Sequence, residues 1–301
     1  MKKVDILIVG AGPGGMSAAQ YGARAGYSTL VLDPMGPGGQ LLYIDAIENY
    51  PGLGETSGYL LSEAMEKQCA SFGVEMDYGA VSSISKEGNL FVSQTDIGEV
   101  ESKAVILATG ASHRHLGVKG EEEYRGKGVS YCATCDGPFF RGKKVVVAGG
   151  GDTALTDALY LSKLCSTVTI VHRREEFRAQ KALQDKIAKV GNISTVMGRN
   201  IVEIKGDGSS VKEVVLDGGE TIEADGVFVF IGTVPNSSLV ERIAKTENGF
   251  VVTDDSMETT LPGLFASGDV RNTTFRQVVT AASDGAKAAH GADEYIRKNN
   301  L

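Results

Sequence analysis

The sequence lacks a long apolar run, an excess of positive charge and a large set of cysteines. The apolar segment that follows Asp5 is short and ends in glycines, so it is neither a membrane span nor a signal peptide. With 30 Lys and Arg against 38 Asp and Glu, the net charge is -8, which argues against nucleic acid as a partner. We therefore expect a cytoplasmic protein that binds neither nucleic acid nor membranes.

The chain has only four cysteines and four histidines. Because structural disulfides are rare in the reducing cytoplasm, the closely spaced pair Cys132 and Cys135 indicates a redox dithiol or half of a zinc site. A zinc site needs about four ligands. The other cysteines, Cys69 and Cys165, are solitary and the histidines are scattered, so the pattern favours the dithiol and predicts no metal site.

Glycine is abundant, with 39 residues against 7 prolines, and two glycine-rich turns stand in equivalent places. The first, Gly10–Gly15, joins an apolar strand to a helix that begins near Met16, and the next strand ends at Asp33. The second, Gly149–Ala154, also joins a strand to a helix, and the strand after it ends at His172 with the same spacing. One βαβ dinucleotide-binding unit therefore occurs twice, which predicts two domains of the α/β class.

The first glycine turn has the spacing of a pyrophosphate-binding loop. Gly10, Gly12 and Gly15 leave room for a phosphate at a helix N-terminus, where unpaired backbone N–H groups attract it. Asp33 can accept hydrogen bonds from ribose hydroxyls. Glycines also occur in turns that only pack a helix on a strand, but the acid at the next strand end favours a dinucleotide site.

Residues near the end of the sequence help to decide which dinucleotide binds at the first glycine turn. Asp269 follows an apolar strand, and Arg276 and Gln277 stand before the last helix. A helix N-terminus directed at a flavin stabilises the negative charge of the reduced ring by up to ~2 kcal/mol. Taken alone, Asp269 is equally explained as a turn residue or a helix cap.

The strand after the second glycine turn ends in basic residues instead of an acid. His172 is followed by Arg173 and Arg174, and Arg178 shares a face with Arg174 if a helix continues there. Guanidinium groups bind the 2′-phosphate of NADP, which an acid would repel. The pattern favours NADP over NAD, and the alternative is a solvated basic face.

Asp136 stands beside the dithiol. It could protonate a leaving thiolate, although an aspartate before Gly137 and Pro138 is also typical of a turn. The dithiol would reduce a partner's disulfide by thiolate attack, through a mixed disulfide.

Together these motifs resemble those of the low-molecular-weight thioredoxin reductases of bacteria, over essentially the whole chain. The position of the dithiol between the two dinucleotide units separates this family from glutathione-reductase-like enzymes. The matching motifs are Gly10–Gly15, Gly38–Leu41, Glu48–Gly52, Cys132–Gly137, His172–Arg174, Phe177–Ala179, Gly268–Val270 and Arg276–Gln277. One departure is Thr156-Asp157, where members commonly carry two glutamates.

The resemblance implies two Rossmann-like dinucleotide-binding domains, with the NADPH domain inserted into a split FAD domain. We place the FAD domain at residues 1–114 and 243–301, and the NADPH domain with the dithiol at residues 115–242. A homodimer is implied in which the domains swivel and electrons pass from NADPH through FAD and the dithiol to thioredoxin. The alternatives are a reductase of another small redox carrier, a ferredoxin- or flavin-fed variant, and a flavin-binding sensor without turnover.

The family's site residues can be carried over motif by motif. The resemblance makes Cys132, Cys135 and Asp136 catalytic, with Cys135 facing the flavin and Cys132 taking part in exchange. The expected FAD-binding residues are Gly10, Gly12, Pro13, Gly15, Asp33, Gly39, Gln40, Asn49, Thr109, Gly110, Gly268, Asp269, Arg276, Gln277 and Val278. The expected NADPH-binding residues are Gly149, Gly151, Asp152, Thr153, His172, Arg173, Arg174, Arg178, Ile231 and Gly232.

Overall fold

The computed structural model describes residues 1–44 and 46–301, which divide into two compact units. The first unit contains Met1–Ser112 and Val234–Leu301, and the second contains His113–Thr233. Each unit has a mainly parallel sheet and its own core, so the α/β class and the two Rossmann-type domains expected from the sequence are confirmed. In the described part of the chain, each helix is too short or too polar to cross a membrane.

The elements follow one another in chain order. The strands are β1 (Lys2–Val9), β2 (Thr29–Leu32), β3 (Glu75–Asp77), β4 (Val81–Glu87), β5 (Leu90–Thr95), β6 (Gly98–Leu107), β7 (Ala111–His113), β8 (Val129–Ser130), β9 (Lys144–Ala148), β10 (Thr167–His172), β11 (Ile193–Met197), β12 (Ile201–Gly206), β13 (Val211–Leu216), β14 (Thr221–Glu223), β15 (Gly226–Val229), β16 (Thr233–Pro235), β17 (Thr246–Glu247), β18 (Phe250–Val251) and β19 (Leu264–Ala266). The α-helices are α1 (Pro13–Arg24), α2 (Gly58–Ser71), α3 (Ala133–Asp136), α4 (Asp152–Leu161), α5 (Lys181–Ile187) and α6 (Val278–Lys298). Short 3-10 helices span Gly39–Tyr43, Gly137–Phe140 and Gly268–Val270.

The sheet of the first unit runs in the order β3-β2-β1-β6-β5-β4, and β19 also pairs with β6. Strands β3, β2, β1, β6 and β19 pair in parallel, whereas β5 pairs antiparallel with both β6 and β4. Both faces of β1 are buried: Ile6 and Ile8 pack in the core with α1 and α6, and Leu7 and Val9 pack in a second core on the opposite face. A parallel strand covered on both faces is continuously apolar, and the sequence pattern predicted this correctly.

The second unit repeats this arrangement with the parallel sheet β11-β10-β9-β15-β8. On one face, Val145 and Val147 of β9 pack with residues of α4 such as Leu155. On the other face, Val146 packs with Val214 and other residues of the antiparallel sheet β12-β13-β14. The sheet is therefore covered by helices on one side and by a small sheet on the other.

The expected domain boundaries and the compact units differ in position. We expected the inserted domain to end at residue 242, whereas the second unit ends at Thr233. The segment after Thr233 packs in the first unit, where Val240 is fully buried in the same core as Leu7 and Leu107. Burial of this apolar side chain determines to which unit the segment belongs.

Helices α1 and α6 pack closely in the first unit because small residues line their contact. A β-carbon on Gly285 of α6 would overlap the carbonyl oxygen of Gly14 in α1 and would lie 2.9 Å from the amide nitrogen of Ala18. The backbone atoms of α1 cannot move away from this contact without disturbing the glycine turn that precedes them. Gly285 therefore determines how closely the two helices approach.

We predict that Gly285→Ala lowers the free energy of unfolding. Within a helix this change normally stabilises by up to ~1 kcal/mol, but here the overlap with backbone reverses the sign, with a loss of about 1–3 kcal/mol. Urea unfolding of the two proteins measures the difference. Lys287→Ala, on the exposed side of the same helix, is the control, and a Gly285→Ala protein more stable than the parent would contradict the packing argument.

Helix α4 carries a half-buried acid, Asp157. Its carboxylate has neither a hydrogen bond nor an ion pair with the part of the chain that the structure describes. Burial raises the pKa of Asp157 from 3.8 to about 6. Because the pKa is higher in the folded state, the ionised form destabilises the fold at neutral pH, and this penalty fades as the pH falls from 6 towards 4.

We predict that Asp157→Asn stabilises the protein at pH 7.5–8, by on the order of 2 kcal/mol. The gain should shrink as the pH falls through about 6 and vanish near about 4, where both folded and unfolded aspartate are protonated. Denaturant unfolding at several pH values measures it. Asp185→Asn, on the exposed surface of α5, provides the comparison, and a gain independent of pH would show that burial of the charge is not the cause.

Candidate functional site

The first glycine turn lies at the carboxyl edge of the sheet in the first unit. Gly10 follows β1, Asp33 follows β2, Thr109 lies just beyond β6, and Asp269 lies just beyond β19. Because β2, β1, β6 and β19 are parallel neighbours, these residues are brought to one edge. The structure thus gathers predicted FAD-binding residues that are widely separated in the sequence.

The turn itself has the shape of a phosphate cradle. Gly12 caps α1 without a side-chain hydrogen bond to the helix, and no atom lies within 4 Å of the place where its β-carbon would stand. Pro13 occupies the first turn of the helix, and a side chain on Gly15 would overlap the carbonyl oxygen of Gly10. Open space in front of unpaired N–H groups at a helix N-terminus fits a pyrophosphate.

Asp33 holds this turn in place. Its Oδ2 accepts a hydrogen bond of 2.9 Å from the backbone N–H of Ala11, and its Oδ1 accepts one of 2.8 Å from Met35. Each carboxylate oxygen retains a lone pair for a ribose hydroxyl. Asp33 therefore both braces the glycine turn and remains able to accept from a ligand.

The C-terminal residues form a second part of the same edge. Burial raises the pKa of Asp269, and the nearby Arg276 partly opposes that shift. The guanidinium of Arg276 lies 4.4 Å from the centre of the Phe250 ring. Its Nε is buried and has no hydrogen-bond partner among residues 1–44 and 46–301. An unsatisfied buried N–H is costly, so a bound ligand fits here.

Residues of the other FAD motifs lie in the same unit. Gln277 caps α6, and its Oε1 accepts a hydrogen bond of 3.1 Å from Asn49. The Gln40 side-chain amide donates to the carbonyl of Ala111. Gly39 packs against the turn, since its β-carbon would lie 3.3 Å from the α-carbon of Gly12.

The remaining predicted FAD residues adopt backbone conformations that their residue types allow. Gly110 and Gly268 have φ of 66° and 71°, a region that favours glycine. Val278 is the first residue of α6. Sequence reasoning missed Asn236, whose side chain donates to the carbonyl of Thr109 at 2.8 Å and whose own carbonyl accepts from the Thr109 hydroxyl.

The second glycine turn has the corresponding place in the second unit. Gly151 caps α4, and its β-carbon position is open, with no atom within 4 Å. A side chain on Gly149 would overlap the carbonyl oxygen of Phe230, just as one on Gly10 would overlap that of Ala108. This cradle has the chemistry of the first one and fits a second pyrophosphate.

The basic segment, residues 172–178, is folded back over the second glycine turn. The N–H groups of Arg178 and Ala179 donate to the carbonyl of Gly150 at 2.8 and 3.2 Å, and the His172 ring lies where a side chain on Gly150 would be. Burial, with help from the neighbouring Arg174, lowers the pKa of His172. The imidazole is therefore neutral at physiological pH.

The three arginines of this segment, Arg173, Arg174 and Arg178, are exposed and form no ion pair within the described residues. The carboxylate of the adjacent Glu175 lies against Gly198 instead. Glu175 therefore does not neutralise the guanidinium groups, and the basic face remains able to bind an anion.

The other predicted NADPH residues stand around the turn. Asp152 and Thr153 open α4, and Asp152 accepts a hydrogen bond of 2.7 Å from the N–H of Gln180, which ties the basic segment to the helix. Ile231 and Gly232 follow β15 at the carboxyl edge next to β9. The carbonyl of Gly232 accepts a hydrogen bond of 2.9 Å from the backbone N–H of Arg114.

The dithiol lies at this same edge of the second unit. Cys132 follows shortly after β8, which is parallel to β15, and it caps the short helix α3. Cys132 and Cys135 form a disulfide, with α-carbons 5.3 Å apart. The Cys132 sulfur accepts from the N–H of Cys135 at 3.2 Å and lies 3.5 Å from the Thr134 hydroxyl. Both contacts stabilise a thiolate on Cys132 once the bond is reduced.

Ser130 organises the dithiol, and sequence reasoning missed it. Its hydroxyl donates to Asp136 Oδ2 at 2.5 Å and accepts from the N–H of Cys132 at 3.1 Å. The serine is 4% exposed, so its hydroxyl bridges the acid and the cysteine backbone away from bulk water. A serine two positions before a cysteine carries no recognisable signal in one sequence.

The other two cysteines are inert by comparison. Burial raises the pKa of both Cys69 and Cys165 to about 11, so they are thiols at neutral pH. No three His, Cys, Asp or Glu side chains converge as a metal-ligand set within the residues that the structure describes.

Comparisons with known proteins agree with this geometry. A family described as "Pyridine nucleotide-disulphide oxidoreductase" matches residues 4–285. The thioredoxin reductase of Treponema pallidum is 48% identical over 298 residues, covering 97% of each chain, and that of Listeria innocua is 43% identical over 304 residues, covering 99% of this chain and 95% of its own. The crystal structure of thioredoxin reductase from Streptococcus pyogenes, 41% identical, matches with a TM-score of 0.94, covering 98% of this chain and 99% of that one. The chain belongs to the pyridine nucleotide-disulphide oxidoreductases and, within them, to the thioredoxin reductases.

Proposed function

We propose that this protein is an NADPH-dependent thioredoxin-disulfide reductase, which carries electrons from NADPH through FAD to Cys132 and Cys135 and then to thioredoxin. The observation that carries the proposal is the position of the dithiol, at the same sheet edge as the second glycine turn and in the same unit. Relatives that match this chain over nearly its full length are named thioredoxin reductases. Membership of the family itself implies a flavin and a nicotinamide cofactor.

The first unit would hold FAD. The turn at Gly12 would take the pyrophosphate and Asp33 the ribose, and the half-buried residues Asp269 and Arg276 would lie along the rest of the ligand. Bound FAD would supply two-electron chemistry that accepts from a nicotinamide and donates to a disulfide. The unsatisfied Nε of Arg276 supports a ligand at this edge.

The second unit would hold NADPH. The turn at Gly151 would take its pyrophosphate, and Arg173, Arg174 and Arg178 would bind its 2′-phosphate through charge-assisted hydrogen bonds. The exposure of these three guanidinium groups supports this assignment.

Reduction of thioredoxin is a thiol-disulfide exchange. With both cysteines reduced, the Cys132 thiolate attacks one sulfur of the partner's disulfide; an intermolecular disulfide forms, and the partner's other sulfur leaves as a thiolate. The Cys135 thiolate then attacks Cys132, which restores the disulfide and releases the second sulfur of the partner. Two electrons and two protons reach thioredoxin in total.

Asp136 would supply a proton in this exchange. Ser130 holds its carboxyl through a 2.5 Å hydrogen bond and holds the Cys132 N–H at the same time. A carboxyl fixed beside the pair can protonate a leaving thiolate without the delay of collecting a proton from solvent.

We expect a homodimer located in the cytoplasm, with no nucleic-acid or membrane partner. The dimer follows from the family resemblance, and the other expectations follow from the net charge of -8 and the cysteine chemistry. Sedimentation of the FAD-loaded protein would measure the oligomeric state.

We predict that Cys135→Ser abolishes reduction of thioredoxin while NADPH still reduces the flavin at the parent rate. The serine cannot form the intramolecular disulfide, but the nicotinamide site is unchanged. Stopped-flow flavin absorbance measures the first step, and insulin reduction in the presence of thioredoxin measures the second.

Cys165→Ala is the matched control for the cysteine substitution. It removes a buried thiol from the same unit, with a pKa of about 11, and should leave both steps unchanged. Parent-level thioredoxin reduction by Cys135→Ser would remove the dithiol from the mechanism.

We predict that the double change Arg173→Ala and Arg174→Ala weakens the binding of NADPH by about a hundredfold, because two charge-assisted hydrogen bonds to its 2′-phosphate are lost. NADH lacks the 2′-phosphate, so its dissociation constant should change little. Titrations of flavin reduction with each coenzyme measure this difference.

The control for this charge change is Lys186→Ala with Lys189→Ala. These lysines are exposed in the same unit, and their removal lowers the net charge equally. Equal loss of affinity for NADPH and NADH in the arginine variant would rule out the 2′-phosphate assignment.

A further inference from the structure

The segment by which the chain enters the second unit meets the residue before the dithiol in one polar cluster. We call it the Tyr131 cluster. Its members are His113, His115, Glu121, Glu122, Arg125 and Tyr131. All of them lie in the second unit, and Tyr131 stands between β8 and Cys132.

Glu121 is the centre of this cluster. It is 2% exposed, and its carboxylate accepts three hydrogen bonds: from the N–H of Leu116 at 2.8 Å, from the N–H of Gly117 at 2.7 Å, and from the Tyr131 hydroxyl at 2.9 Å. A buried carboxylate needs such donors to remain charged. One side chain therefore holds both the backbone of residues 116–117 and the side chain next to Cys132.

The Tyr131 hydroxyl is held from a second direction. Its only proton goes to Glu121, and its oxygen lies 3.0 Å from Nδ1 of His115, which is itself 2.9 Å from the carboxylate of Glu122. Burial, followed by the hydrogen bond to Glu121, raises the pKa of Tyr131. The hydroxyl thus remains a donor at neutral pH.

The ring of Tyr131 is restrained as well. His113 stacks on it with ring centres 5.2 Å apart and planes 18° from parallel, and the guanidinium of Arg125 lies 5.6 Å from its centre. Aromatic stacking and a cation over the ring both stabilise such a contact. Both the ring and the hydroxyl of Tyr131 are therefore tied to the segment that enters the unit.

The dithiol is attached directly to this restrained residue. Ser130, on the other side of Tyr131, binds both the Cys132 N–H and the Asp136 carboxylate. Hydrogen bonds and ring contacts thus connect residues 113–117 to the Tyr131 side chain, and the peptide bonds on either side of Tyr131 join it to Ser130 and Cys132.

We propose that Tyr131 and Glu121 are positioning residues, which join the segment entering the second unit to the dithiol so that the two move as one piece. The benefit for electron transfer rests on the proposed function, because the sulfurs must be brought repeatedly to the same place relative to their electron donor. Reaction rates fall steeply when reacting groups wander from that geometry.

Hydrogen exchange tests the connection without any redox partner. In the FAD-loaded protein, Tyr131→Phe keeps the ring and removes the hydroxyl, and the amides of Leu116 and Gly117 should then exchange about fivefold faster, as expected for loss of one hydrogen bond. Conversely, Glu121→Gln should raise exchange by a similar factor in residues 131–136. Each substitution is thus measured at the opposite end of the cluster.

Tyr124→Phe is the matched control. Tyr124 is a buried tyrosine of the same unit, and its hydroxyl accepts from the N–H of Gly208, outside the cluster. It should leave exchange in residues 116–117 and 131–136 unchanged. Faster exchange only on the substituted side, or an equal rise in the central strands β9 and β10, would overturn the proposal.

Kinetics test the consequence. In Tyr131→Phe, NADPH should reduce the flavin at the parent rate, while the appearance of Cys132 and Cys135 thiols, trapped by alkylation, should slow about fivefold with an unchanged dithiol redox potential. An unchanged rate of thiol appearance, or a shifted potential, would contradict a positioning role. If the parent enzyme itself never reduces the pair, the proposed function fails, and hydrogen exchange still decides whether the two segments are joined.

Discussion

The carbonyl oxygen of Ala108 occupies the place where a side chain on Gly10 would lie, and that of Phe230 does the same for Gly149. In each unit the strand before the glycine turn, β1 or β9, therefore ends pressed against the end of a neighbouring parallel strand, β6 or β15. Only glycine allows this approach, and it places a helix N-terminus with open space in front of it at the carboxyl edge of the sheet. Each glycine turn, with the acidic or basic groups beside it, depends on this close contact between the glycine and the neighbouring carbonyl oxygen.

The second unit adds a reactive group to the same kind of edge. Strand β8 contains only two residues, yet its parallel pairing with β15 brings the chain to the carboxyl edge directly before the dithiol. Ser130, the last residue of that strand, then bonds to both Asp136 and the Cys132 backbone. A minimal strand thus determines the position of the sulfurs, and the Tyr131 cluster connects that position to the start of the unit.

Burial and hydrogen bonding distinguish the dithiol from the other two cysteines. Cys69 and Cys165 lie in apolar cores, where burial raises each pKa to about 11 and suppresses the thiolate. The dithiol instead lies among hydrogen-bond donors, with the N–H of Cys135 and the Thr134 hydroxyl near the Cys132 sulfur. Any of the four cysteines could in principle form a thiolate, but these surroundings favour the thiolate at Cys132.

The sequence by itself determined the local features. The glycine turns, the apolar strands beside them and a last helix after Gln277 were predicted correctly because turn chemistry and hydrophobic periodicity act over a few residues. Even the start of α1 was wrong by only three positions: the sequence suggested Met16, whereas the helix begins at Pro13, a residue favoured in a first helical turn. The basic residues that follow His172, at the end of the strand after the second glycine turn, could also be recognised in the sequence.

Only the tertiary structure decided which distant residues meet. No local pattern indicates that Asn49 bonds to Gln277, that Val240 is buried in the first unit, or that Glu121 holds Tyr131. These contacts depend on which strands pair and which faces are covered. A hydrophobic pattern that repeats every two or 3.6 residues identifies a strand or a helix, but it does not specify the element against which that strand or helix packs. The sequence therefore determined what each segment is, and long-range packing decided what each segment touches.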